Sequence, residues 1–205
     1  MRFSRNGRTQ TLRVIAGQYR SRPLRSLPGW DIRPTADRLR ETLFNVLNAR
    51  NPDALAGSTW ADLYAGTGAV GIEALSRGAG RVFFVESSRA AAKLIQENLD
   101  SLELKTGFDL IQGEVGRILR RWQAQGVILD YVFLDPPYRL ESAYQETLEF
   151  LSESTLLTAT SVVIAEHAKQ FESVDGIGIL KRYRKLVQGE AALSFYRKHP
   201  DTQDL

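Results

Sequence analysis

The sequence predicts an α/β protein built on a doubly wound, mostly parallel sheet, and three observations carry that expectation. Short apolar runs rich in Val, Ile, Leu and Phe recur between longer amphipathic stretches, as buried strands alternating with covering helices do. The first run ends in DLYAGTGAVG, residues 62–71, a glycine turn that opens directly into a helical pattern. The fourth ends in LDPPY, residues 134–138, where two prolines stop a strand.

Taken in order, residues 1–11 are polar and aperiodic and are expected to form a disordered leader. LRVIAGQYRSRPL reads as two short extended pieces joined by a turn at Gly17. In RPTADRLRETLFNVL, Thr35 can cap a helix, Asp37 favours its dipole, and Leu39, Leu43, Val46 and Leu47 follow at helical spacing. NPDALAG closes this unit, giving a basic N-terminal extension over 12–57 and a main domain over 58–200, with 201–205 as a tail. Within the main domain TWADLYAG, RVFFVE, FDLIQG, DYVFLDPPY and SVVIAEHA read as strands. Helices are expected in AVGIEALSRG, SRAAAKLIQENLDSL, VGRILRRWQAQ and SAYQETLEFLSE, and ILKRYRKLVQG and AALSFYRKH as an antiparallel pair. The total is seven strands. Trp60 and Trp122 read as core, and Glu73 with Arg77 as a helical ion pair.

Composition removes several kinds of chemistry. With no cysteine there is no disulfide, thiolate zinc site or Cys nucleophile, and two histidines, His167 and His199, leave little for a His-based metal centre. No apolar run approaches the ~20 residues of a membrane span, and the N-terminus lacks the apolar stretch of a secretory signal, so a cytoplasmic protein is expected. The net charge of +3 is unevenly spread. Residues 1–40 hold ten Arg, no Lys and two Asp, a balance of +8, while the other 165 residues carry 17 basic and 22 acidic side chains, a balance of −5. Arginine's planar fork suits phosphates and base edges.

Gly66, Gly68 and Gly71 fit G-x-G-x-x-G in its meaningful context, between a strand and a helix. Glu86, ending the second strand, can accept hydrogen bonds from the ribose hydroxyls of an adenosine. The ligand is then a dinucleotide or S-adenosylmethionine. Asp62 favours the second, since a carboxylate there suits a cationic amino group and repels a pyrophosphate. At the proline turn, Asp135 and a proline carbonyl can be presented as rigid acceptors at the sheet's carboxyl edge, with Tyr138 as a stacking face. Two acceptors and a ring suit a planar group bearing an exocyclic amine.

The glycine loop with D-P-P-Y resembles class I S-adenosylmethionine-dependent amino-methyltransferases. More narrowly, RVIAGQYRSRPL, RPTADRLRETLFNVL, DLYAGTGAVGIEALSRGA, VFFVE and LDPPY resemble the RsmD family, over nearly the whole chain from Leu12. That resemblance implies methylation of the exocyclic N2 amine of a guanine in small-subunit ribosomal RNA, free or in an assembling particle, by a monomeric enzyme without a metal. It implies a seven-stranded class I methyltransferase sheet. It assigns the base site to Asp135, Pro136, Pro137 and Tyr138. It assigns the cofactor to Asp62, Tyr64, Ala65, Gly66, Thr67, Gly68, Gly71, Glu86, Ser87 and Glu114. Tyr64 and Thr67 stand where the family more often has Phe and Ser, and Glu114 where relatives carry Asp or Asn near the adenine. Arg20, Arg22, Arg25, Arg33, Arg38 and Arg40 are the expected RNA contacts, although Arg38 and Arg40 also suit anchoring of the extension. Rival readings are DNA adenine or protein glutamine methylation, a nicotinamide-dependent oxidoreductase on the same loop, and a non-catalytic RNA-binding factor.

Overall fold

The computed structural model describes residues 12–26, 34–137, 141–171 and 174–199. Its helices are α1 (Pro34–Asn48), α2 (Ala69–Ser76), α3 (Arg89–Ser101), α4 (Val115–Ala124) and α5 (Glu141–Glu153). Its strands are β1 (Thr59–Leu63), β2 (Arg81–Glu86), β3 (Phe108–Gln112), β4 (Leu129–Leu134), β5 (Leu157–Ala168), β6 (Gly176–Ile177), β7 (Leu180–Gln188) and β8 (Ala191–Lys198). They form one sheet in the order β3-β2-β1-β4-β5-β8-β7-β6. The first five strands are parallel, and β8, β7 and β6 pair antiparallel. The sheet therefore has eight strands, one more than the sequence suggested, because the two-residue β6 is too short to leave a pattern. The helix α1 starts at Pro34, so Thr35 lies inside it and is not its cap. Proline at a first helical position forfeits only an N–H that has no intrahelical partner.

Strict alternation sorts the sheet into two faces. Trp60, Val82, Phe84, Phe133, Ile164 and Phe195 pack with residues of α1, α2 and α3 in one core, and both predicted core tryptophans are buried. Their sequence neighbours Ala61, Leu63, Phe83, Val85, Leu134 and Ala165 pack with α4 and α5 in the other. The central strands β1, β2, β4 and β5 thus carry apolar residues on both sides, the condition for a parallel sheet covered by helices.

The N-terminal residues join the first core. Leu12, Val14 and Leu24 pack in it, and the two extended pieces pair through Leu24 N to Leu12 O (2.7 Å) and an antiparallel bridge between Arg13 and Pro23. Three polar side chains on the helices hold this segment down. Glu73 accepts from Ile15 N (2.7 Å) and Ala16 N (3.0 Å), Ser76 Oγ accepts from Tyr19 N, and Asn98 Oδ1 accepts from Arg25 N. The approach at Gly17 is so close that a Cβ there would fall 1.9 Å from Ser76 O. The expected Glu73–Arg77 pair is present at 2.7 Å, but the segment's backbone shares that carboxylate.

Candidate active site at the carboxyl edge

Strand order reverses between β1 and β4, and in open α/β sheets ligands bind outside the carboxyl ends of the strands at that point. The glycine turn leaves β1 there. Gly66 and Gly68 have φ of 56° and 76°, and Tyr64 also sits at φ 63°. Gly71 serves packing, since a Cβ on it would lie 2.3 Å from the Phe84 ring.

The loop's amides decide what it can bind. Gly66 N donates to Glu86 Oε2 (2.9 Å), Gly68 N to Ala65 O (2.7 Å) and Gly71 N to Asp62 Oδ2 (2.8 Å), while Ala69 N reaches Thr67 Oγ1 at 3.4 Å. A phosphate-binding loop points such N–H groups at its ligand. Here they are taken up inside the protein, and two of them by carboxylates.

Glu86 Oε1 also accepts from Ser88 N (2.8 Å), so its carboxyl group is fixed at the end of β2. Ser88 caps α3 through Ala91 N, whereas neighbouring Ser87 is exposed. Glu114 is the exposed N-cap of α4, and its side chain makes no capping bond. Tyr64 Oη meets Thr147 Oγ1 at 3.2 Å, and burial pushes its phenol up.

Beyond the loop stands a row of acids. Asp62, Asp135 and Glu166 all project on the α1 face, because Trp60, Phe133 and Ile164 two residues before them do so. Leu134 pairs with Ala165, which sets Asp135, just past β4, beside Glu166, two residues before the end of β5. Asp62 is buried and the other two are half-buried. Burial holds the Asp62 and Glu166 carboxyls well above the usual carboxylate range, with the charge of Asp135 adding to both. Burial also pushes Asp135 up to about 7. Asp135 N makes a long bond of 3.4 Å to Leu63 O, and the two prolines after it have no N–H to extend the ladder. Tyr144 Oη donates to Glu166 O (2.6 Å) and lies 3.3 Å from Pro136 O, tying the two strand ends together.

The structure thus gathers Asp62, Tyr64, Ala65, Gly66, Thr67, Gly68, Gly71, Glu86, Asp135 and Pro136 around one edge. Pro137 is exposed beside them. Tyr138 and Arg33 lie outside the described residues. Arg20, Arg22, Arg25 and Arg38 are exposed, with Arg22 Nη2 on Ser101 O and Arg25 Nη1 on Glu97. Arg40 is a correction. Its side chain is buried, donates to Arg13 O (2.6 Å) and Asp37, and stands 4.0 Å from Glu73, so no RNA phosphate can reach it. It anchors the extension instead. Glu166 carries no signal in the sequence because it lies within an ordinary strand, and only the register reveals its neighbour.

The donor set fits a cation. Buried carboxyls that resist ionisation gain from a positive ligand and would oppose a pyrophosphate. Neither feature suits a dinucleotide. Among the described residues, no group of three His, Asp or Glu is placed to hold a metal ion, and no helix is long and apolar enough to cross a membrane.

Strand order, glycine turn and proline-stopped fourth strand define a class I methyltransferase. The family described as Conserved hypothetical protein 95 matches residues 12–197. The chain belongs to that family, the RsmD family of its sequence motifs. It is 35% identical over 159 residues to ribosomal RNA small subunit methyltransferase D of Haemophilus influenzae, covering 77% of this chain and 79% of that one. The Escherichia coli K12 protein of the same name is 31% identical over 193 residues, covering 91% and 90%. A solved hypothetical protein of Thermus thermophilus superposes with a TM-score of 0.75 at 27% identity, covering 90% of this chain and 98% of that one. The 16S rRNA N2 G1207 methyltransferase of T. thermophilus, solved with AdoMet and guanosine, shares the fold at 20% identity. Its TM-score is 0.67, with 84% of this chain and 45% of that one covered.

Proposed function

We propose that the protein transfers a methyl group from S-adenosylmethionine to the exocyclic N2 amine of a guanine in small-subunit ribosomal RNA. The observation that carries this reading is Asp135. It stands at the proline-stopped end of β4, at the point where strand order reverses, in an acid row suited to a cationic cofactor and a neutral amine. Family membership supplies the RNA substrate. The same reading makes the protein a cytoplasmic monomer that meets its RNA free or in an assembling particle.

Asp62 would hold the cofactor's ammonium, Glu86 its ribose hydroxyls, and Tyr64 to Gly68 would line its path, with Ser87 and Glu114 near the adenosine. The bound cofactor supplies an electrophilic methyl carbon on a sulfonium. Everything else falls to the chain. Asp135 Oδ accepts one N–H of the target amine and Pro136 O the other, which localises a nitrogen lone pair otherwise spread into the ring. Pro136 O has two lone pairs, so its long contact with Tyr144 Oη leaves room for this bond. As the N–C bond would form and the methyl–sulfur bond break to leave a neutral thioether, positive charge would pass to nitrogen beside the fixed Asp135 carboxylate, the electrostatic preorganisation that dominates many such sites. One N–H proton would then be lost to a base or water. Pro137 keeps the turn rigid, and Tyr138 offers a stacking face to a flipped base.

The test is methyl transfer from labelled cofactor to unmodified small-subunit RNA and to particles containing it, with nucleoside analysis of the product. N2-methylguanosine from wild type, cut by about 10²-fold or more in Asp135→Ala with S-adenosylhomocysteine binding intact, is the expected result. Transfer to neither substrate by a cofactor-binding protein would end the ribosomal reading.

A further inference from the structure

We propose that Glu166 is the specificity-determining residue of the base site, accepting the N1–H of the target guanine while Asp135 accepts from its N2 amine. The inference rests on the functional reading above and adds to it the group that tells guanine from other amine-bearing bases.

Three observations converge on this residue. The Leu134–Ala165 pairing makes Asp135 and Glu166 the next positions on adjacent parallel strands, and alternation turns both side chains to the same face. Neighbouring strands lie about 4.8 Å apart, so the two carboxyl groups can meet adjacent atoms of one base edge. Both are half-buried, at the edge and not within the core. Tyr144 Oη bonds to Glu166 O and reaches towards Pro136 O, which fixes the separation of the two strand ends.

Among the described residues, the Glu166 carboxyl group lacks the donors that its ionised, accepting form needs, and a bound N–H would supply one. Burial and the charges of Asp135 and Asp62 disfavour ionisation of Glu166, while Arg40, reaching over from α1, favours it. No side-chain hydrogen bond to its carboxyl group occurs among the described residues. Guanine presents parallel N–H groups from N1 and N2 on its Watson–Crick edge, the edge that enzymes read on a flipped base. Adenine and 2-aminopurine carry a bare acceptor at N1, which a carboxylate repels. A site built to hydrogen-bond a substrate N–H strongly rejects the analogue that lacks it.

The experiment uses a small-subunit RNA fragment with either guanine or 2-aminopurine at the nucleotide that wild type methylates. 2-Aminopurine keeps the 2-amine but loses N1–H and O6. Wild type should prefer guanine by at least tenfold in kcat/KM. Glu166→Gln, whose amide can donate to a bare N1, should narrow that preference at least tenfold, whereas Glu166→Asp should keep the preference at a reduced rate. Because loss of O6 is common to every variant, the change in ratio isolates N1. Cofactor binding, followed by the melting shift with S-adenosylhomocysteine, should be unchanged in both. A Glu166→Gln ratio within twofold of wild type, with methylation of guanine intact, overturns the proposal alone. Wild type that methylates no guanine overturns the functional reading and this one with it.

Discussion

At the scale of single residues, Asp135 sets stability against activity. An aspartate that ionises at 3.8 in water is pushed by burial up to about 7 in this site. Between those values the folded protein holds the proton more tightly than the unfolded chain. The contribution to stability is therefore complete below 3.8 and is lost as pH rises through about 7. The proposed reaction needs the other form, because only the carboxylate accepts without donating. Methyl transfer should then rise with pH through this range while the fold weakens. Asp135→Asn keeps the shape and removes the charge. Calorimetric melts should show it stabilised over wild type at pH 8 and nearly equal at pH 4. For a chain of this size the gain is on the order of 3 °C per kcal/mol relieved. Equal melting points at both pH values would show that the carboxyl is not strained.

At the scale of elements, the sequence made legible what is local. Alternating apolar strands, the glycine turn and the prolines each act within about ten residues, and each appears where it was expected. What stayed hidden depends on distant partners. Glu73 reads as one half of a pair with Arg77 four residues on, and that pair exists. Its bonds to Ile15 and Ala16 cross 58 and 57 residues, so no periodicity announces them. Arg40 likewise suits an RNA contact and an anchor equally until α1 packs on the sheet and buries it. Glu166 gains meaning only from the β4–β5 register. Since Glu73 satisfies two backbone amides and sits near the buried Arg40 and half-buried Arg77 guanidinium groups, it fastens α2 to the N-terminal segment. Glu73→Ala would leave the half-buried Arg77 without its counter-charge and Arg40 with Asp37 alone, at a cost of about 3 kcal/mol. Urea unfolding gives the total. Hydrogen exchange at the Ile15 and Ala16 amides should accelerate beyond what global destabilisation explains. Unchanged exchange there would mean that apolar packing alone holds the segment.

At the scale of the molecule, the charge asymmetry separates two tasks. The first 40 residues carry +8 and the remainder −5, and Asp62, Asp135 and Glu166 line the sheet's carboxyl edge. On the proposed function, phosphates would be drawn to the basic segment and kept from the acids, which would leave the edge to a neutral base and a cationic cofactor. The arginines themselves divide. Arg20 and Arg38 are exposed, Arg22 and Arg25 are exposed but tied to Ser101 O and Glu97, and Arg40 is buried. RNA affinity measured against salt can resolve that division, since each phosphate neutralised contributes about 0.7 to the log–log slope for single-stranded RNA. Replacing Arg20 and Arg38 together by alanine should lower the slope by about 1.4 and leave the melting temperature near that of wild type. Arg40→Ala should do the reverse, lowering the melting temperature while the slope for the folded protein stays the same. If the double variant kept the full slope, the exposed arginines would serve solubility alone, and the RNA would have to be held by another face.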